Sequence, residues 1–120
     1  MKKLTRRITH LALITFVAGS YLVVLAPGVW AKGSAKAGKS LYDGKCAMCH
    51  AQNGSGDSSM GKGMKVPDLR SPAVQKQTDA QLADVIAKGK KMMPQYGSQI
   101  SKEQINDLVA YIRELGSKKK

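Results

Sequence analysis

Beyond residue 31 the chain has no tryptophan and no phenylalanine, and Tyr42, Tyr96 and Tyr111 are its only aromatic rings. A segment of 89 residues this poor in large rings builds a thin core, and small domains of that kind often need a staple. A large apolar cofactor at the centre supplies one; a purely aliphatic helical core is the plainer alternative. Cysteine is scarce as well: Cys46 and Cys49 are the only two, which excludes a multi-bridge disulfide scaffold. There are only two histidines, His10 and His50, and no clear acid–base pair, so the sequence offers little to an enzyme or to a zinc site of four protein ligands. Convincing strand alternation and internal repeats are absent too, which points away from sheets and solenoids. Acidic residues number 8 against 20 basic ones. Residues 32–120 keep 16 of the basic and all 8 acidic, a formal charge of +8. Such a balance speaks to partners and encounter rates rather than to fold. It suits an acidic protein face or anionic lipid, and no recognisable nucleic-acid-binding motif accompanies it.

Against this background stands Cys46-Ala47-Met48-Cys49-His50, a C-x-x-C-H sequence. This is the pattern at which haem is attached covalently. Two thiols three residues apart can each add to one vinyl group of the same porphyrin, and the next residue can offer an imidazole nitrogen to the iron. A redox dithiol is expected near a βαβ pattern, which is not visible. Structural zinc takes four protein ligands, and Cys46, Cys49 and His50 leave it one short. A disulfide leaves His50 without a role.

The first 31 residues read as a secretory signal peptide. Lys2, Lys3, Arg6 and Arg7 form a basic start, and Leu11 to Ala31 carries no charge. Pro27-Gly28 breaks the stretch, and Val29-Trp30-Ala31 offers a cleavage site, leaving residues 32–120 as the mature domain. An uncleaved anchor is the alternative, because about 20 apolar residues span a bilayer. Arg6-Arg7 hints at twin-arginine export, but a basic n-region accounts for it equally. Every route delivers the domain outside the cytoplasm, to the periplasm or a similar compartment.

Three helices are expected. The first covers 35–45 and runs into the haem motif, with Gly38 and Tyr42 on one face. Residues 51–66, rich in glycine, read as a loop ending in Val66-Pro67-Asp68-Leu69. The second helix starts at Thr78, where Thr78-x-x-Gln81 has capping-box form; Leu82, Val85 and Ile86 make its stripe and Gly89 its stop. The third is capped by Ser101 with Gln104, carries Ile105, Leu108, Val109 and Ile112 at helical spacing, and is closed by Gly116. The fold class is all-α. Lys118-Lys119-Lys120 reads as a solvated tail.

His50 is the single histidine of residues 32–120, so a second axial ligand comes from methionine, lysine or nothing. Met60, Met64, Met92 and Met93 are the methionine candidates, while Met48 lies inside the motif. Gly89 ends a helix and Pro94 stiffens the turn that follows, so residues 89–97 form a constrained loop, which favours Met93, with its neighbour Met92 as the alternative. Core filling is the ordinary role of a methionine.

Over about residues 34–116 the chain resembles a monohaem class I c-type cytochrome of the small bacterial kind. The haem motif carries most of the likeness. Gly38-x-x-x-Tyr42 resembles the first-helix contact positions. Val66-Pro67-Asp68-Leu69 resembles the segment whose proline carbonyl accepts from the proximal histidine. Gly89-Lys90-Lys91-Met92-Met93-Pro94-Gln95-Tyr96-Gly97 resembles the axial-methionine loop, in which Met directly precedes Pro, and that register selects Met93. Leu108-Val109-Ala110-Tyr111-Ile112 resembles the C-terminal helix, with Tyr111 at its aromatic contact with the first. Tyrosine where phenylalanine or tryptophan is common, and the additional Met92, are the departures.

The resemblance implies short helices and loops around one covalent haem c, held by Cys46 and Cys49, with His50 and Met93 on the iron. It implies an electron carrier rather than an enzyme. Pro67 would orient His50; Tyr42, Leu69, Ile86 and Leu108 are candidates for a dry pocket. Lys45, Lys62, Lys65, Lys90 and Lys91 could steer docking on acidic faces of redox partner proteins. Small size and shuttling favour a monomer, with membrane contact only through an uncleaved signal or a membrane-bound partner. The alternatives are a tethered cytochrome subunit of a larger redox complex and a five-coordinate haem enzyme or gas sensor.

Overall fold

The structure, a computed structural model, describes residues 32–118. The expected signal segment 1–31 and the last two lysines of the tail lie outside the described residues. Six helices occur within them: α1 Ala35–Lys45, α2 Ala47–His50, α3 Ser59–Met64, α4 Pro72–Gln75, α5 Asp79–Lys88 and α6 Lys102–Ser117. No strand is present among the described residues, and a single bridge joins Lys90 to Met93. The all-α expectation holds. None of these helices is long and apolar enough to cross a membrane.

Packing of α1 on α6 organises the domain. Ser34 caps α1, its hydroxyl accepting from the Ala37 amide at 3.3 Å, while its own amide donates to Asp107 Oδ1 on α6 at 2.6 Å. Gly38 lets the two backbones meet: a Cβ there would stand 1.9 Å from the Asp107 carbonyl oxygen. One turn on, Tyr42 is 1 % exposed and meets Tyr111 edge-on, centroids 5.1 Å apart at 64°. That geometry suits the ring quadrupoles, and such pairs contribute about 1 kcal/mol beyond area burial.

Both longer helices beyond α1 start as their sequences dictate. Thr78 and Ser101 form full capping boxes with Gln81 and Gln104. Leu82 and Ile86 of α5, and Ile105, Leu108, Val109 and Ile112 of α6, turn their stripes into the core with Tyr111 and Leu115. Gly89 ends α5 at φ 74.

Two expectations need correction. Gly116 does not close the last helix, which continues through Ser117 and is capped by Lys118. The missing Cβ there serves space rather than termination, because the Gln75 amide occupies it. Nor is 51–66 all loop, since it contains α3. Ser58 accepts from the Gly61 amide at 2.9 Å and donates to the Cys49 carbonyl at 2.8 Å, so one hydroxyl both starts the helix and pins it to the haem motif. A Cβ on Gly61 would stand 2.2 Å from that same carbonyl. Glycine here permits contact, whereas in the sequence it reads as looseness.

Gly38→Ala tests the helix crossing. Alanine adds up to about 1 kcal/mol of helix propensity, but its methyl collides with backbone that cannot rotate away. A net loss of about 1–3 kcal/mol is expected in denaturant unfolding of the haem-loaded protein. An unchanged midpoint would mean the helices do not cross as closely as described.

Candidate haem site

The site grows from the end of α1. The chain bends at Cys46, and the amides of Cys49 and His50 both return to the Cys46 carbonyl, at 3.1 and 2.9 Å. This single turn spaces Cys46, Cys49 and His50 at i, i+3 and i+4, so all three sit on one side of it and line one cavity. Immediately after it, Ala51 adopts φ 60 and ψ 159, a region almost reserved for glycine. The Tyr42 hydroxyl donates to the Ala51 carbonyl at 2.8 Å and holds this exit. Burial keeps that hydroxyl protonated, well above its ordinary range.

The cavity measures about 440 Å³. Leu69 and Val74 form one wall, Leu82 and Ile86 of α5 another, and Leu108 and Ile112 of α6 the back. No Asp or Glu lines it, whereas Lys45, Lys65, Lys90 and Lys91 do. All four proposed pocket residues, Tyr42, Leu69, Ile86 and Leu108, are on its wall, as is Pro67. Lys62 is exposed and lies off it.

Segment 66–70 is held from several sides. Leu69 donates to Gly54 O at 2.8 Å, and the Arg70 guanidinium grips both oxygens of Asp68 at 2.9 and 3.1 Å. His50 is buried, and burial lowers its pKa, which keeps the imidazole in the neutral form that binds metal. The Pro67 carbonyl pulls the other way. It lies near the ring, but Nδ1 is buried with no partner at ordinary hydrogen-bond geometry.

Opposite runs the 89–97 loop. Lys90 and Met93 exchange two backbone bonds, 3.2 and 3.0 Å, around a turn whose tip, Lys91, has φ 56. Tyr96 and Gly97 return their amides to Ile86 O and Ala87 O of α5. The Tyr96 hydroxyl donates to the Lys45 carbonyl at 3.1 Å, tying the loop to the residue before Cys46. Met93 is half-buried against the core, while Met92 is 72 % exposed, although both reach the cavity. Of the other methionines, Met64 lines the cavity, Met48 is 70 % exposed, and Met60 puts its sulfur 3.4 Å from Cys49 Sγ.

Sequence reasoning did not select Val74, Tyr96 or Gln77 for the wall. Val74 sits on α4, a helix of four residues too short for any periodic signal. The Tyr96 bond goes to a backbone carbonyl 51 residues away, which side-chain type does not reveal.

These residues fit a haem. Two free thiols beside an apolar slot without carboxylates suit covalent attachment, and a buried imidazole on the same turn suits an iron ligand. Burial pushes the Cys46 thiol up to about 11, the opposite direction to the lowered thiol of an active dithiol. Three or more His, Cys, Asp or Glu do not gather as a metal cluster among the described residues.

The comparisons agree. The family described as "Cytochrome C oxidase, cbb3-type, subunit III" matches residues 33–112. The chain belongs to this family: it is a c-type cytochrome with one covalent haem c, and it transfers electrons rather than catalysing a reaction. It is 33 % identical to cytochrome c6 of Rippkaea orientalis (strain PCC 8801 / RF-1) over 102 residues, 85 % of this chain and 88 % of that one. It is 31 % identical to the cbb3-type cytochrome c oxidase subunit CcoP of Azospirillum brasilense over 88 residues, 72 % of this chain but only 30 % of the relative.

Ala51→Gly tests the strained exit of the haem motif. Relief of the backbone strain, about 1–3 kcal/mol, outweighs the extra freedom glycine gains when unfolded, about 1 kcal/mol. Thermal unfolding of the haem-loaded variant should show a net gain of about 1 kcal/mol. A loss would show that Ala51 is unstrained.

Proposed function

We propose that this cytochrome is an exported, freely diffusing carrier that moves single electrons between redox proteins outside the cytoplasm, with His50 and Met93 as its axial ligands. The observation that carries the ligand set is the contrast within one loop: Met93 is half-buried against the core where Met92 is 72 % exposed. Bound haem supplies the Fe(III)/Fe(II) couple. The chain does the rest. Cys46 and Cys49 anchor the ring, Pro67 orients His50, and the Lys90–Met93 turn presents a thioether without much further ordering. Thioether ligation favours the ferrous form. With both His50 and Met93 on the iron, the geometry would change little between oxidation states, so little reorganisation would oppose transfer. The walls of Tyr42, Leu69, Ile86 and Leu108 exclude water.

Four lysines on the cavity wall and none of the eight acidic residues there favour partners with acidic faces. A monomer suits such an encounter. Residues 1–31 act as a cleaved signal, so the mature protein starts at Lys32. The second reading, a tethered subunit of a larger redox complex, draws on the likeness to CcoP; a retained N-terminus in the membrane fraction would favour it.

Met93→Ala and Met92→Ala separate the ligands. Met93→Ala should abolish the long-wavelength methionine-to-ferric-iron band and raise the ferric-to-ferrous ratio at fixed potential by at least about tenfold, which is about 59 mV for one electron. Met92→Ala should leave both unchanged. The reverse pattern would move the ligand to Met92, and a wild-type spectrum without the band would reopen the five-coordinate reading. Mass spectrometry of the mature protein checks the cleavage, which a retained residue 1 would contradict.

A further inference from the structure

Gln75 stands outside the haem cavity, yet its side chain joins two of the cavity's walls. Its amide nitrogen donates to the Leu69 carbonyl at 2.8 Å and to the Ile112 carbonyl at 3.0 Å. Both hydrogens of the amide are thus used, each on the backbone of a residue that lines the cavity. Its backbone is held in turn. Arg113 Nη1 donates to the Gln75 carbonyl at 2.8 Å and approaches Oε1 at 3.4 Å, and the same guanidinium holds the Gln77 carbonyl and Asp79. Gly116 supplies the space: a Cβ there would stand 2.3 Å from Gln75 Cδ.

We infer that Gln75 is a positioning residue for electron transfer, setting the Pro67–Leu69 wall against α6 and so fixing how dry and how tight the surroundings of His50 are. The inference rests on the proposed role of His50. Leu69 is two residues from Pro67, which lines the same cavity as His50, and a displacement of one end of so short a segment reaches the other. Groups behind a metal ligand set its orientation and the solvent access that tunes potential. Loosening this wall admits water, which stabilises the more highly charged ferric state, so the potential should fall.

Two lesions of opposite kind test this in the haem-loaded protein. Gln75→Glu keeps the shape but turns a carboxylate towards two carbonyls. Gly116→Ala leaves Gln75 intact and pushes its flexible amide out of place, while alanine favours the helix. Ile105→Val, a core change off the cavity wall, is the control for stability alone. Both test variants should lower the reduction potential, with a severalfold rise in ferric-to-ferrous ratio at fixed poise, where tenfold is about 59 mV. Their His50 ring proton NMR shifts should move, and the methionine-to-iron band should survive, which separates this outcome from a wrong ligand assignment. Ile105→Val should lower Tm without moving the potential. If both test variants hold the wild-type potential and His50 shifts, whatever their Tm, Gln75 is a structural latch only and the inference is overturned. Should Gln75→Glu fail to mature, Gly116→Ala decides by the same readings.

Discussion

The crossing of α1 and α6 at Gly38 is the contact on which the haem site depends. With no side chain to hold them apart, the two helices touch backbone to backbone, and Tyr42 then meets Tyr111 one turn further on. That fixes the C-terminal end of α1, and the haem motif follows it directly. The same α6 that receives Gly38 contributes Leu108 and Ile112 to the back of the cavity. Thiols, imidazole and apolar wall are therefore referenced to one pair of helices. Chain ends far apart in sequence are joined before any cofactor is considered.

Around this pair, short segments are secured by single polar groups rather than by extended apolar contact. Ser58 pins α3 to Cys49, Tyr42 holds the exit after His50, Tyr96 moors the methionine loop to Lys45, and Gln75 bridges Leu69 to Ile112. Each bond contributes only about 1 kcal/mol net, but each fixes a segment too short to bury much surface of its own. In a domain with three aromatic rings these contacts do what bulk does elsewhere. Haem chemistry needs a fixed geometry more than a large stability, and that is what such bonds supply.

Much of this was legible in the residues. The capping boxes at Thr78 and Ser101 located α5 and α6, and the stripe Ile105, Leu108, Val109, Ile112 gave the buried face. The haem motif needed no structure to be read. What escaped was of a different physical kind. Helix α3 was hidden because Gly61 and Gly63 read as flexibility, when Gly61 is required by the approach to the Cys49 carbonyl. Gly116 was read as a stop for the same reason, although its role is to admit a glutamine from 41 residues away. Side chain to backbone bonds over long separations leave no pattern in a single sequence. The burial difference between Met92 and Met93 likewise follows from the three-dimensional course of the loop, not from residue type.

The most direct test of the account is a potentiometric titration of the mature protein, followed through the visible haem bands. One haem held between His50 and Met93 predicts a single one-electron Nernst wave, with the ferric methionine band disappearing in step with reduction. Absence of covalent haem bands, as expected of a Cys46–Cys49 dithiol, or a one-electron wave in which the methionine band never appears, would contradict it.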